Sequence, residues 1–268
     1  MHCLLIHQAF ASHANAGGTR HFELAKHCAG QGSRFTIIGS DVDYLSGTRK
    51  NSCKTWNDKI NIQYAKTLPA LHKNFIWRVL SFFSFMFSSF WKGLWIKDVD
   101  LVMGTSPPIF QAVSACLIAR FKRKPFLLEI RDLWPEFAID MGVLQNKVLI
   151  KMSRWLENWL YSRADRLMVN SPAYETYLIN KGISKDKISF IPNGVDIEMF
   201  SNGHAWNLSC KKPQKDNFNI AYTGALGMAN DIETIIQAAE LLDNKEKICF
   251  WLIGDGKERK RLEALTQE

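Results

Sequence analysis

Cysteine pairs, histidine pairs and nucleotide-binding signatures are all missing from this chain of 268 residues. Its six cysteines are scattered, with no C-x-x-C pair and no ligand spacing to histidine, so neither a disulfide framework nor a zinc site is indicated. The patterns H-x-x-x-H, G-x-G-x-x-G, G-x-x-x-x-G-K-[ST] and G-x-S-x-G do not occur. These absences argue against metal hydrolysis, serine catalysis, and dinucleotide or P-loop binding. We expect a cytoplasmic protein with reduced thiols.

Leader and membrane-span signals are weak as well. Met1–His7 lacks the basic region and the long apolar region of a signal peptide, and its short apolar run predicts a buried strand instead. The net charge is +8, which favours an anionic partner such as a nucleotide, a phospholipid surface or nucleic acid. The basic residues are not interleaved with aromatics on one strand face, so we expect no nucleic-acid partner.

Short apolar runs alternate with amphipathic stretches along the first 200 residues. Phe22, Ala25 and Ala29, for example, stand at helical spacing between two apolar runs. Strands separated by amphipathic helices form right-handed crossovers, so we predict an α/β fold with a parallel, doubly wound sheet. The predicted strands are Cys3–Ile6, Phe35–Ile38, Ile60–Tyr64, Val99–Met103, Phe126–Ile130, Leu167–Val169 and Ile188–Ile191.

The pattern changes after Ile191. Residues 192–196 form a turn sequence, and residues 201–217 are polar and contain three lysines, as in an interdomain linker. We therefore predict a complete Rossmann-like domain over residues 1–200.

The alternation restarts beyond the linker, over residues 218–268. Its predicted elements are strand Phe218–Tyr222, helix Asp231–Leu242 and strand Ile248–Ile253. Two βα units are too few to cover both faces of a parallel sheet. We therefore expect the beginning of a second Rossmann-like domain that is incomplete, and hence a truncated form of a longer protein.

Two glycine turns each lie between a strand and a helix. Gly17 and Gly18 precede the first helix, and Gly224 and Gly227 hold the same position in the second domain. Glycines there let backbone N–H groups approach an anion, which the helix dipole also favours. A flexible helix start explains either pair alone. As a pair, they predict a diphosphate held in a cleft between the domains.

The segment Leu128–Glu136 reads LEIRDLWPE and follows a buried strand. Ligands of open α/β sheets bind at the carboxyl ends of strands, so its carboxylates could hold sugar hydroxyls while an indole stacks on the ring. We predict that Asp132 is catalytic and that Arg131 and Trp134 contact the acceptor. The structural alternative has Trp134 filling the core and Asp132 capping a turn.

The most aromatic stretch of the chain is Asn74–Ile96. Tryptophans lie near its ends and cations flank it, as in helices that lie at a membrane interface. Its uncharged part, Val79–Trp91, is shorter than the ~20 apolar residues of a transmembrane span. The topology also requires a crossover helix here, and both interpretations hold if one face covers the sheet and the other contacts lipid. The basic run Arg120–Lys124 could add contacts to lipid phosphates, or could simply be solvated.

Eight segments, in this order, span essentially the whole chain: QAF, GGTRHFELAKHCAGQGSRFTII, TSPP, EIRDLWPE, IPNGVD, YTGALG, DIETIIQAAELL and LIGDGKERKRL. Together they resemble the bacterial GT4-type retaining glycosyltransferases. The resemblance is strongest to the branch that builds O-antigen, capsule or colanic-acid repeat units, fucosaminyltransferase-like proteins included. It implies a GT-B fold with an N-terminal acceptor-binding domain and a C-terminal sugar-nucleotide-binding domain.

The resemblance also implies a function. A sugar would pass from a nucleotide-sugar donor to a lipid-linked glycan acceptor at the inner face of the cell membrane, with retention and without a metal or other cofactor. Gly17, Gly18, Gly224 and Gly227 match the donor-side glycine turns, whose amides would stabilise the leaving diphosphate. Asp132 matches an acidic residue of the cleft, and Arg20 is assigned to the acceptor. The alternatives are a non-catalytic remnant that binds membrane or acceptor, and a GT-B-fold sugar-nucleotide epimerase.

Overall fold

The computed structural model describes residues 1–11, 18–43, 47–49, 54–69, 75–197, 217–242 and 247–266. The chain divides into two compact units, Met1–Ser201 and Asn202–Glu268. Apart from Asn217, the predicted linker lies outside the described residues.

The first unit contains an eight-stranded sheet with helices on both faces. Its strands are β1 (His2–Ile6), β2 (Arg34–Ser40), β3 (Lys54–Asn57), β4 (Ile60–Ala65), β5 (Leu101–Ser106), β6 (Phe126–Ile130), β7 (Arg166–Val169) and β8 (Ile188–Phe190). Its helices are α1 (Arg20–Gly30), α2 (Phe75–Leu94), α3 (Ile109–Lys122), α4 (Glu136–Asp140), α5 (Lys147–Arg163) and α6 (Pro172–Asn180).

The strand order is β3-β4-β2-β1-β5-β6-β7-β8, and all neighbours pair in parallel except β3 and β4. The predicted α/β class and parallel sheet are therefore confirmed. The antiparallel edge strand β3 was not predicted, because its sequence KTWN carries no apolar run. From β1 the chain builds the sheet first in one direction and later, from β5, in the other. The carboxyl ends of β1 and β5 thus form a topological switch point, where such sheets bind ligands.

Burial on both faces explains the near-continuous apolar strands. All five residues of β1 are buried, as is usual for a central parallel strand. One core packs α1 against the sheet around Phe22 and Ile37. The larger core, around Phe85 and Leu128, lies on the other face under α2, α3, α5 and α6.

Local signals set the helix boundaries. α1 is followed by Gly32, whose φ of +93° suits glycine. At the start of α6 the Ser171 side chain accepts a hydrogen bond from the Ala173 amide, and Pro172 lies in the first turn. Asn146 caps the start of α5, because its Oδ1 accepts hydrogen bonds from the amides of Val148 and Leu149.

α2 is the crossover helix between β4 and β5, as the topology requires. Ser81, Phe85 and Ser89 are buried at four-residue spacing, and Ser89 Oγ lies 2.9 Å from Ser114 Oγ of α3. The opposite face is exposed and apolar, with Phe87 59% and Trp91 62% exposed. Among the described helices, none is both long and apolar enough to cross a membrane.

The second unit contains two parallel strands, β9 (Phe218–Thr223) and β10 (Ile248–Ile253), with helices α7 (Ile232–Glu240) and α8 (Arg259–Leu265). Its small core is formed by Leu226, Ile232 and Leu262. The two predicted strands are confirmed to within one residue, and the predicted helix begins one residue later than expected and ends two residues earlier.

Candidate functional site

Buried polar atoms without a partner gather at one edge of the sheet in the first unit. Within the described residues, eight buried side-chain nitrogen and oxygen atoms make no hydrogen bond. They are Nδ1 and Nε2 of His7, Nε2 and Oε1 of Gln8, Nδ1 of His21, Oγ1 of Thr105, Nε of Arg131 and Oδ1 of Asn170. These residues lie at the carboxyl ends of β1, β5, β6 and β7 and in the first turn of α1. Buried polar groups are normally hydrogen-bonded, so this edge, named the polar edge here, is the candidate site.

Glu129 anchors the polar edge from within β6. Its side chain is fully buried, yet Arg20 Nε donates to Oε1 at 2.8 Å and His21 Nε2 bonds to Oε2. Burial by itself raises the pKa of Glu129, but the hydrogen bonds and charges of His21 and Arg20 outweigh it and lower the pKa to about 2. Glu129 is therefore a carboxylate at neutral pH.

His7 lies beside this ion pair. Its ring centroid is 4.2 Å from that of His21, and the side chain is buried. Burial lowers the pKa of His7 well below its ordinary value, and the positive charges of His21 and Arg131 lower it further. His7 is therefore a neutral imidazole with one donor and one acceptor nitrogen, a group suited to a ligand hydroxyl.

Gln111 of α3 fastens the ends of β1 and β5 together. Its Oε1 accepts from the Gln8 backbone amide at 2.6 Å, and its Nε2 donates to the carbonyl of Thr105 at 2.8 Å and to that of Pro107 at 3.2 Å. With both ends of the Gln111 amide occupied, the backbone is fixed, and the side chain of Gln8 keeps both its donor and its acceptor for a ligand.

Arg20 joins the polar edge to the segment after β8. Besides Glu129, its guanidinium donates to the carbonyl of Pro192 at 2.6 Å and to that of Ile191 at 2.7 Å. Lys26, further along α1, pairs with Asp196 at 2.7 Å. Arg20, which was predicted to contact the acceptor, therefore links α1 to β6 and to residues 191–192.

The LEIRDLWPE segment leaves β6 at the polar edge. The Arg131 amide donates to the Ser106 carbonyl at 2.9 Å, which places this side chain at the ends of β5 and β6. Asp132 is exposed directly beyond it. Trp134 is half-buried and packs against the larger core, in agreement with the structural alternative. Glu136 is bound by Arg154 of α5 through two hydrogen bonds of 2.8 Å.

The predicted glycine residues lie in different units. Gly17 is outside the described residues, and Gly18 is exposed just before α1. Gly224 and Gly227 form the turn after β9, and this turn pairs with the turn after β10. The Gly224 amide donates to the Ile253 carbonyl at 3.0 Å, and a Cβ on Gly254 would overlap the Gly224 carbonyl oxygen.

Sequence reasoning missed most of the polar edge. His7 and Asn170 were not proposed. Gln8, His21, Thr105 and Glu129 entered only as letters of longer motifs. A signal existed in Glu129, because a charged residue inside an apolar strand requires a buried partner. Among the described residues, no cluster of three or more His, Cys, Asp or Glu side chains is arranged to hold a metal ion.

Comparison with known proteins decides the family. The sequence model of Glycosyltransferase Family 4 matches residues 17–199. The chain belongs to glycosyltransferase family 4. A curated relative, "Putative colanic acid biosynthesis glycosyl transferase WcaI" from Escherichia coli K12, is 24% identical over 197 residues, which is 71% of this chain and 47% of the relative. This family 4 chain thus spans about half the length of the curated relatives it matches.

Solved structures share the fold. Sucrose-phosphate synthase from Thermosynechococcus elongatus matches 99% of the chain with 67% of its own length, at a TM-score of 0.72 and 16% identity. Alr3699/HepE of Anabaena, solved with UDP and glucose, matches 100% of the chain with 65% of its own length, at a TM-score of 0.60 and 16% identity. These likenesses confirm the predicted GT-B-type fold. At 16% identity they are evidence for the fold alone.

Proposed function

We propose that this family 4 protein transfers a sugar from a nucleotide-sugar donor to a glycan acceptor, and that the polar edge binds sugar hydroxyls. The eight unpartnered polar atoms carry this proposal. A sugar is an uncharged polyol whose hydroxyls each donate and accept. Neutral His7, the Gln8 amide and the Thr105 hydroxyl offer both kinds of group in a buried setting, where a hydrogen bond is strongest.

The donor class is proposed from the comparisons. Alr3699/HepE was solved with UDP and glucose, which supports a UDP-sugar. In the second unit, the amides of the Gly224–Gly227 turn other than those of Gly224 and Leu226, which already bond to the turn after β10, would hold the donor diphosphate, as glycine turns before helices do. Gly17 and Gly18 are proposed separately as an anion contact of the first unit. No metal is needed if these amides and nearby cations stabilise the leaving group.

Asp132 is proposed as the catalytic carboxylate of a retaining transfer. It is exposed and lies two residues beyond β6, next to Arg131, whose Nε belongs to the polar edge. A carboxylate at this position can orient the attacking hydroxyl. Loss of such positioning costs about 10²-fold in rate.

The test is sugar transfer from a panel of radiolabelled nucleotide sugars, UDP-glucose first, to bacterial membrane lipid extract. Asp132→Asn should transfer about 10²-fold more slowly than the unaltered protein. Asp140→Asn is the matched control and should keep full activity. It changes another exposed carboxylate, ten residues after the end of β6. No transfer from any donor by a protein that joins this chain to a complete second domain, as in its longer relatives, would contradict the proposal. Full activity of Asp132→Asn in that protein would remove the residue from the mechanism.

We also propose a lipid-linked acceptor in surface polysaccharide synthesis and peripheral membrane binding through α2. The name of the WcaI relative, which refers to colanic acid biosynthesis, supports a role in polysaccharide synthesis. The exposed apolar face of α2, opposite the face that covers the sheet, supports membrane binding. Vesicle flotation tests it, since Phe87→Ser with Trp91→Ser should reduce binding without disturbing the buried face.

A further inference from the structure

The first half of α5 carries an exposed apolar stripe. Val148, Met152 and Trp155 follow one another at spacings of four and three residues, so they share one face of the helix. They are 66%, 60% and 65% exposed. The buried residues of α5, Glu157, Leu160 and Tyr161, lie on the opposite side, so the stripe points away from the sheet.

Two unpaired lysines border this stripe. Lys147 and Lys151 are exposed, one helical turn apart, and have no ion pair or hydrogen bond within the described residues. The first turn of α5 has no acidic residue, although the positive end of the helix dipole favours one there. Cations at this position are unfavourable for the isolated helix, and an external anion would compensate them.

Exposed acidic residues are missing from α2, α3 and α5, three of the helices on this side of the sheet, whereas α4 and α6 do contain acidic residues, Glu175 among them. α2 and α3 contain no Asp or Glu. The one carboxylate of α5, Glu157, is buried and bonded to Tyr161, Tyr177 and Lys181. The outer surface of these three helices is therefore apolar and cationic, which complements an anionic bilayer.

The stripe also lies at the same edge of the sheet as the candidate site. α5 follows β6 and leads to β7, so its first residues are near the carboxyl ends of the strands. α4, the short helix between β6 and α5, is tied to α5 by the Glu136–Arg154 pair. A bilayer that contacts the stripe would therefore lie close to the Arg131–Asp132 loop.

We propose that Val148, Met152 and Trp155, with Lys147 and Lys151, form a second membrane-contact face that binds an anionic phospholipid bilayer together with α2. This inference rests on the proposed function in one respect: a bilayer bound to this face would bring a lipid-linked acceptor to the polar edge. A second copy of the chain is the competing occupant. A two-fold contact would bring the same unpaired lysines of both copies together, and like charges oppose it.

Vesicle flotation of the whole chain, without sugar, tests this face. The vesicles contain phosphatidylethanolamine with 30 mol% phosphatidylglycerol (roughly the anionic density needed for a surface field), and neutral phosphatidylcholine vesicles serve for comparison. Met152→Ser with Trp155→Ser, and separately Lys147→Glu with Lys151→Glu, should each reduce the partition coefficient about tenfold on anionic vesicles.

Two control variants match these changes in the second unit. Leu241→Ser removes an apolar side chain that is 87% exposed, and Lys257→Glu with Lys260→Glu reverses the same amount of charge. Both should keep the partition coefficient within about twofold, because scattered surface apolar groups and isolated surface charges contribute little. Thermal melting of every variant checks that the fold is intact.

Three outcomes would overturn the inference. Unchanged binding of both α5 variants, while Phe87→Ser with Trp91→Ser loses binding, would leave α2 as the contact. Equal binding of the unaltered chain to neutral and anionic vesicles would remove the role of the lysines. Loss of a dimer in light scattering, with vesicle binding unchanged, would assign the stripe to a second copy. Sugar transfer to a water-soluble acceptor should be unaffected in the α2 and α5 variants and in Leu241→Ser, so that failure of this inference remains distinct from failure of the proposed function.

Discussion

Glu129 is the one charged residue of β6, whose other four residues are apolar. A carboxylate can be buried there because two cationic or hydrogen-bonding partners arrive from α1, which follows β1 in the chain. The same arrangement places His21 against His7 and thereby builds half of the polar edge. The buried Glu129 carboxylate thus contributes both to the stability of the sheet and to the arrangement of the polar edge.

We predict that Glu129→Gln destabilises the protein by about 3–5 kcal/mol, because removal of one partner leaves buried cationic groups uncompensated. Urea denaturation at pH 7 measures the change in the free energy of unfolding. Asp140→Asn, exposed at the end of α4, is the control and should change it by less than about 0.5 kcal/mol. A similarly small loss for Glu129→Gln would show that the ion pair does not hold α1 to β6.

The pKa of Glu129 also predicts how this difference depends on pH. The pKa is lowered from an ordinary value of 4.5 to about 2, so the carboxylate stabilises the folded state fully above about pH 5. The advantage of the unaltered protein over Glu129→Gln should be equal at pH 7 and pH 5 and should shrink as the pH falls from 4.5 toward 2. An advantage that grows over this interval would have the wrong sign for a lowered pKa.

His7 offers a different kind of test, because both its nitrogens are buried without a partner. We predict that His7→Leu leaves the free energy of unfolding unchanged within about 1 kcal/mol, or raises it, while transfer from the best donor falls about tenfold. Gln111→Leu is the contrast. It leaves the backbone amide of Gln8 and the backbone carbonyl of Thr105 without their partner, and it should lower the free energy of unfolding by about 1–3 kcal/mol. If His7→Leu destabilises as much as Gln111→Leu with activity retained, His7 is structural.

At the scale of elements, the second unit depends on contact between two turns. The Leu226 amide donates to the Asp255 carbonyl at 2.9 Å, and the Glu258 amide donates to the Leu226 carbonyl at 3.1 Å. A Cβ on Gly254 would collide with the carbonyl of Gly224, which is backbone and cannot rotate away. The conformation of the Gly224–Gly227 turn, which resembles a donor site, thus depends on Gly254 in the neighbouring turn.

We predict that Gly254→Ala separates the turns and increases amide hydrogen exchange in β9 and β10 of the full chain by more than tenfold, since local opening becomes easier. Gly227→Ala is the matched control. The nearest atom to a Cβ there is Asn230 Oδ1 at 3.6 Å, an ordinary contact, and the φ of Gly227 is −119°. Slow exchange in Gly254→Ala would mean that the turns accommodate a side chain.

Elements were easier to predict than the site, for a physical reason. β6 was predicted over Phe126–Ile130, as observed, because burial on both faces leaves a compact apolar run in the sequence. β3 left no such run, and it forms only because β4 offers an edge. The partners of Glu129 are 108 and 109 residues away, and no local pattern encodes such a contact. Position after a strand predicted Arg131 and Asp132, whereas His7 and Asn170 required the strand order.

At the scale of the first unit, the helix layer on one face of the sheet lies next to the polar edge. α2, α3, α5 and α6 cover one face of the sheet, and the first three of these helices carry no exposed carboxylate. The polar edge is formed by the carboxyl ends of the strands beneath them. A bilayer that lies against this helix layer would therefore meet the site from the side, where the proposed lipid-linked acceptor would be anchored.

With the proposed membrane contact and lipid-linked acceptor, we expect transfer to depend on how the acceptor is presented. With a lipid-linked acceptor in vesicles that contain phosphatidylglycerol, we predict that kcat/KM falls about tenfold or more between 50 and 500 mM salt (roughly a threefold shorter Debye length), since the attraction of exposed lysines to the surface is screened. With a water-soluble acceptor, the same enzyme should change by less than about twofold, because the hydroxyl contacts of the polar edge are short-ranged and shielded from solvent. Lys147→Glu with Lys151→Glu should flatten the salt dependence on vesicles and leave the soluble reaction alone. Equal salt dependence for both acceptors would place the effect of salt at the donor site and contradict docking through the helix layer.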